Sequence, residues 1–331
     1  MNAPAVRSAR ASVAEESVGM RDTGIWVRWL AESSGNASPG TIRALYNTET
    51  VPETTRVLAP RSEPRMEAVI LLSVSKVFHH RPALFNLLGR ERTGETRALN
   101  SVSLQVRSGS VLVLLGPNGS GKTTTLKLIS TMLLPDSGEV IVQGANSRRD
   151  PFAVRRAVGF AVATERSFFP RLSARENLDF FAALDDIPRS KRSERIEEIL
   201  RQTQLQAAAD TLVMKFSSGM YQRLGIARAL IKRPSVVLLD EPTRSLDPGS
   251  AAQFWNLVRS LPAQGATVIL ATHNFNEAVA VGNDVAILFH GSLAAERHLT
   301  STMSMDELRS FYFQTTGELE DVEPAASGAF R

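Results

Sequence analysis

Residues 116–124 read GPNGSGKTT, a set of residue types whose spacing suits one task, holding the phosphates of a nucleotide. Gly116, Gly119 and Gly121 free the backbone to turn successive N–H groups inward, with Pro117, Asn118 and Ser120 between them. Lys122 supplies a cation to the terminal phosphates, and Thr123, followed by Thr124, supplies a hydroxyl to a Mg2+ ion. A second polar constellation closes the apolar run 236–239, where Asp240 and Glu241 put two carboxylates at the end of a strand. Taken alone the pair also reads as a helix N-cap. Beside a phosphate loop, Asp240 holds Mg2+ through water and Glu241 orients or deprotonates an attacking water, since phosphoryl transfer mainly needs positioning and charge neutralisation.

The elements that must position these groups follow from hydrophobic period. The apolar run 111–115 predicts a strand buried on both faces, and 122–132 carries apolar residues at helical spacing, so the glycine loop joins strand to helix. The helix adds its positive N-terminal end to the phosphate site. Segments 235–240, 267–271 and 284–289 are short β-branched strands alternating with helices, the pattern of a parallel sheet covered on both faces. Ahead of the loop, β-like sequence from 69 and again over 98–106 flanks a basic insertion at 79–97, read as a solvated loop. Beyond it, 157–162 reads as a strand and 174–209 is helical in composition.

Before Met66 the chain is rich in Ala, Ser, Thr, Pro and Arg, has no Lys and keeps neither period, so 1–65 reads as a disordered extension. That extension is also consistent with an early start codon. The stretch 299–331 reads as a low-complexity tail. With 43% hydrophobic and 22% charged residues the composition is globular, and a formal charge of +4 over 331 residues points away from nucleic acid. The absence of cysteine excludes disulfides, thiolate metal sites and a cysteine nucleophile, and suits a reducing compartment. No apolar run approaches the ~18–20 residues of a membrane span.

Residues 216–223, FSSGMYQR, followed by GIARALI, resemble the signature of ATP-binding cassette proteins, and the resemblance covers about 66–297. The order of the other motifs is also the family's. It implies an α/β P-loop NTPase with a RecA-like parallel sheet core, an N-terminal antiparallel β subdomain and an inserted helical subdomain at about 166–230, within a cassette at 66–298. Ser217 and Gly219 match positions that, in the family, contact the γ-phosphate bound to the opposing subunit. Ser245, Leu246 and Asp247 resemble the loop linking two subunits. His273 resembles the switch histidine that touches the γ-phosphate, and Phe78 stands where the family stacks an aromatic on adenine. By type alone Ser217 is equally a helix N-cap, His273 a structural histidine and Phe78 a core aromatic.

Two departures stand out. Thr164, with Glu165 beside it, occupies the place of the family's usual glutamine, giving Mg2+ an oxygen of a different kind and implying slower or differently coupled hydrolysis. Ser218 and Met220 replace the commoner Gly and Gln of the signature, a variant associated with exporters. The resemblance therefore implies an ATPase that takes ATP and Mg2+, a homodimer enclosing two ATP, and an integral membrane permease as partner. Segment 167–183 resembles the surface that receives such a permease, although core of the helical subdomain reads as well there. The place implied is the cytoplasm, at the inner face of the cell membrane. The insertion resembles those of type-2 exporters, leaving polysaccharide, lipid and drug-like cargo open. A soluble cassette acting on ribosomes or DNA would carry two cassettes or a long coiled coil, whereas a regulatory module with little turnover is motivated by Thr164.

Overall fold

A computed structural model of the chain describes residues 67–79, 94–162, 167–244 and 246–318. The N-terminal extension, most of the insertion, Thr164 with Glu165, and Ser245 lie outside the described residues. Strand β1 (Glu67–His79) pairs antiparallel with β2 (Glu95–Arg107), from Glu67 opposite Arg107 to His79 opposite Glu95. The stretch 79–97, read from sequence as loop, is thus strand at both ends. The backbone ladder continues past the last apolar alternation because pairing needs only N–H and C=O groups, and His79 Nδ1 adds an ion-pair contact to Glu95 at 3.1 Å.

Strand β3 (Val111–Leu115) leads through the glycine loop into α1 (Lys122–Ile129), which is followed by β4 (Ser137–Val142) and the short β5 (Ala145–Asn146). Among the described residues one sheet has the order β2-β1-β4-β5. Asp150 caps α2 (Pro151–Ala157), and β6 (Val158–Val162) comes directly after it. The helical segment holds α3 (Ala174–Leu184), α4 (Arg189–Gln202) and α5 (Ser218–Leu230), which pack on one another. A Ser173–Glu176 capping box starts α3 by satisfying two otherwise orphaned groups.

The remaining elements alternate: β7 (Val236–Asp240), α6 (Pro248–Ser260), β8 (Thr267–Thr272), α7 (Phe275–Val281), β9 (Asp284–Phe289), β10 (Ser292–His298) and α8 (Met305–Thr316). The second sheet has the order β10-β9-β3-β8-β7-β6, parallel except for the antiparallel β9–β10 pair. β3, β7 and β8 are buried along their whole length, as their unbroken apolar runs require. The period of two divides their side chains between two cores. Leu112, Leu114, Leu238 and Ile269 pack with Leu71, Leu99 and Leu126 beneath the antiparallel sheet and α1. Val113, Leu115, Leu239 and Leu270 pack on the other face with Leu178, Leu224, Val258 and Val281 of the helices.

The expectation of a low-complexity tail past Leu299 is corrected by α8. Ser304 and Glu307 form a capping box, Gly317 ends the helix in the left-handed conformation, and Leu308 and Tyr312, one turn apart, are buried. The Tyr312 ring meets Phe275 of α7 edge-on at 5.3 Å. Acidic and small residues around 304–307 masked a helix start whose period spans too few turns to stand out. Leu308→Ala is expected to destabilise the protein by about 2–5 kcal/mol in urea unfolding. A loss below about 0.5 kcal/mol, typical of a surface change, would place α8 outside the core.

Candidate functional site

Gly116 ends β3 and begins the loop at a point of close approach. A Cβ there would lie 2.2 Å from the Leu288 carbonyl oxygen and 2.7 Å from Ser120 Oγ, so only glycine fits. Gly121, at φ +108, is also pressed against Leu99 and the Ala98 carbonyl, which seats α1 under β2. The buried Ser120 hydroxyl has no hydrogen-bond partner, an uncommon condition that a phosphate oxygen would relieve. Lys122 is buried in the first turn of α1, and its Nζ donates to the carbonyl oxygens of Gly116 at 2.6 Å and Pro117 at 3.0 Å. Burial pushes its ammonium below the usual pKa, opposed by the nearby carboxylates of Glu241 and Asp240.

Across the loop, the hydroxyl of Thr123 donates to both carboxylate oxygens of Asp240, at 3.1 and 2.9 Å. Burial raises the Asp240 pKa, the Thr123 hydrogen bond lowers it, and Glu241 adds repulsion. A hydroxyl facing a buried carboxylate is a hard-oxygen pair that fits Mg2+. Glu241 follows in a left-handed conformation, φ +50, held by its N–H donating to Ala271 O at 2.9 Å. That conformation costs a non-glycine residue about 1–3 kcal/mol and aims the side chain into the site. Its carboxylate lies 4.0 Å from Lys122 Nζ and 2.9–3.0 Å from Nδ1 of His273, which follows β8.

Asn118, Gly119, Gly121, Lys122, Thr123, Thr124, Asp240 and Glu241 line one cleft of about 470 Å³. Thr96, Arg97, Lys127 and Arg244 line it too, and none was singled out from sequence. Arg97 fell inside the stretch read as a loop, and only the β1–β2 register carries it to the cleft. Arg244 stands in the turn after Glu241, a position whose sequence signal was adjacency alone. Phe78 is not among the lining residues. It lies half-buried in β1 directly opposite Thr96, with Lys76 Nζ 5.8 Å from its ring centre.

Ser217, Gly219 and Asp247 are brought together with each other but not with that cleft. Ser217 caps α5, accepting from Met220 N at 3.2 Å, and Asp247 caps α6, accepting from Ser250 N at 3.0 Å. The Ser250 hydrogen bonds hold the Asp247 carboxyl below the usual range. A Cβ on Gly219 would meet Leu246 at 3.4 Å, so the two caps flank one exposed surface.

A family model described as ABC transporter matches residues 99–244. The chain is 35% identical over 232 residues to "Daunorubicin resistance ATP-binding protein DrrA3" of Streptomyces coeruleorubidus, covering 70% of each chain. It is 38% identical over 206 residues to "Doxorubicin resistance ATP-binding protein DrrA" of Mycobacterium tuberculosis, covering 61% of each. The matched part therefore spans 61% to 70% of the length of these two relatives. Among solved structures it resembles the ATP-binding cassette MJ0796 in a dimeric post-hydrolysis state bound to ADP and Pi. That match has a TM-score of 0.60 at 28% identity and covers 70% of this chain and 99% of the other.

The buried Asp240 makes a stability prediction. Its folded pKa lies above the ordinary 3.8, so the folded chain is penalised as pH rises past 3.8, and fully so above the folded value. Asp240→Asn removes the charge while keeping an acceptor for Thr123. The nucleotide-free variant is expected to melt above the wild type at pH 7, by about 2–4 °C for each kcal/mol recovered. The gap should close as pH falls toward 3.8. A variant that melts lower throughout would show that the hydrogen bond outweighs desolvation.

Proposed function

Because the chain belongs to the ATP-binding cassette family, as an ATPase subunit homologous to drug-resistance export ATPases, we propose that it binds Mg2+-ATP in this cleft and powers export through a separate membrane permease. The observation that carries the reading is the Glu241 carboxylate, held between Lys122 and His273 and next to the Thr123–Asp240 pair. The loop N–H groups, Ser120 and Lys122 receive the phosphates, with Lys122 exchanging its two carbonyl acceptors for phosphate oxygens. Thr123 and Asp240 would hold Mg2+, which would supply charge neutralisation to the phosphates. Glu241 orients the attacking water and accepts its proton. His273, bonded to Glu241, keeps that carboxylate aimed at the terminal phosphate.

A second copy of the chain completes the site. Ser217 and Gly219 lie away from this chain's own cleft, as residues that act on a partner's nucleotide must, and Asp247 lies beside them in the linking loop. The dimeric state of the MJ0796 structure supports this arrangement. Thr164, in place of the family's usual glutamine, would slow turnover.

Among the described residues no helix is long and apolar enough to cross a membrane. A groove of about 810 Å³ suits a permease segment. Exposed Met132, Phe152 and Leu184 give it apolar surface, beside the charged Arg155, Arg156 and Asp186 and the Lys232–Asp185 ion pair. The exposed Phe169–Phe180 ring pair adjoins it on the helical segment. The relatives' names favour a drug-like cargo over polysaccharide or lipid. Docking of this kind places the chain on the inner face of the cell membrane.

Glu241→Gln is expected to cut ATP hydrolysis by about 10²–10⁴-fold while ATP-dependent dimerisation, followed by light scattering, persists. A wild-type protein that binds ATP without turnover, even beside its permease, would be a nucleotide-binding module instead. Phe152→Asp combined with Leu184→Asp should leave basal hydrolysis intact and abolish its stimulation by the permease in vesicles. Undiminished stimulation would move the docking surface elsewhere.

A further inference from the structure

One carboxyl close to the site lies outside the residues assigned above to the phosphates, Mg2+ and the attacking water. Glu277, in the first turn of α7 and four residues after His273, is fully buried. Its Oε1 accepts from the indole Nε1 of Trp255 at 3.4 Å, and the hydroxyls of Thr272 and Thr243 face the same carboxyl. Oε2 has no hydrogen-bond partner. Burial raises its pKa, the hydroxyls and the indole oppose the shift, and Glu241 adds repulsion. Space-filling alone does not account for it, because an apolar side chain would fill the volume without the desolvation cost of a carboxyl.

The groups around the carboxyl come from three separate segments, each tied to the proposed chemistry. Thr243 stands two residues after Glu241, Thr272 stands immediately before His273, and Trp255 belongs to α6, whose cap is Asp247. The Asn274 side chain seats the turn from the other side, accepting from Asn276 N at 2.9 Å and Glu277 N at 3.4 Å.

We propose that Glu277 is a positioning residue that joins the Glu241 loop, the His273 turn and α6 into one unit and thereby holds the Glu241–His273 pair in place. The proposal rests on the ATPase reading above. It extends that reading from residues facing the nucleotide to the support behind them, where loss of a hydrogen bond acts on turnover through geometry.

ATP turnover of the full chain tests it, with Glu277→Leu, Glu277→Gln and Trp255→Phe measured beside the wild type. Glu277→Leu is expected to lower kcat by about tenfold or more with KM for ATP within about threefold of wild type. Glu277→Gln, which keeps an acceptor for the indole and hydroxyl donors, should return kcat to within about threefold. Trp255→Phe, which keeps the ring but not its N–H, should lower kcat without raising KM, and it decides the matter if Glu277→Leu does not fold. Wild-type kcat in Glu277→Leu, or in Trp255→Phe, would overturn the proposal. So would a parallel change in kcat and KM that Glu277→Gln fails to rescue, since that pattern means a distorted nucleotide cleft. A wild type without turnover would refute the ATPase reading and this proposal together, whereas an active wild type with indifferent variants would refute this proposal alone.

Discussion

The register of β3, β7 and β8 is locked because each strand sends alternate side chains into a different core, and a slip of one residue would exchange the two sets. Within that register Leu115 pairs with Thr272 and Asp240 pairs with Ala271. The residues that follow, Gly116, His273 and Glu241, must then leave the sheet at one edge. The site depends on this alignment before any of its polar contacts, since side chains from three distant segments meet only where their strands end together.

The same double-sided burial makes the edge expensive to charge. Lys122 and Asp240 both sit where desolvation works against their ionised forms, and each is shifted in the direction that burial dictates. Glu241 adds a left-handed backbone, and Ser120 a hydroxyl with no partner. None of these features stabilises the nucleotide-free chain, and all of them would be relieved or put to use by the proposed Mg2+-ATP. The stability they give up comes from the apolar packing on both faces of the strands.

Function is distributed over surfaces of different kinds. The cleft is lined by the glycine loop and by charged side chains, whereas Ser217 and Asp247 are exposed caps of two helices, with Gly219 in the first turn of α5. The groove beside α2 and β6 mixes apolar side chains with Arg155, Arg156, Lys232, Asp185 and Asp186. The proposed nucleotide, second copy and permease would thus meet three different regions of one small fold. α6 runs from the second of these, at Asp247, to Trp255, whose indole donates to Glu277 of α7 behind the first.

Local chemistry was legible in the sequence. Three glycines with Lys122 and Thr123, a strand ending in Asp240 and Glu241, and apolar runs of strand length each encode their conformation within a few residues, because turn dihedrals, caps and side-chain alternation are local constraints. What tertiary structure decided was everything set by pairing between distant segments. It brought Glu241 to His273, carried Arg97 into the cleft from a stretch that looked like a loop, and kept Ser217 and Asp247 away from this chain's own nucleotide cleft. It also ordered α8, whose brief apolar period acquires meaning only against α7. These outcomes depend on strand register and on burial against partners far along the chain, and neither is contained in any short window of residues.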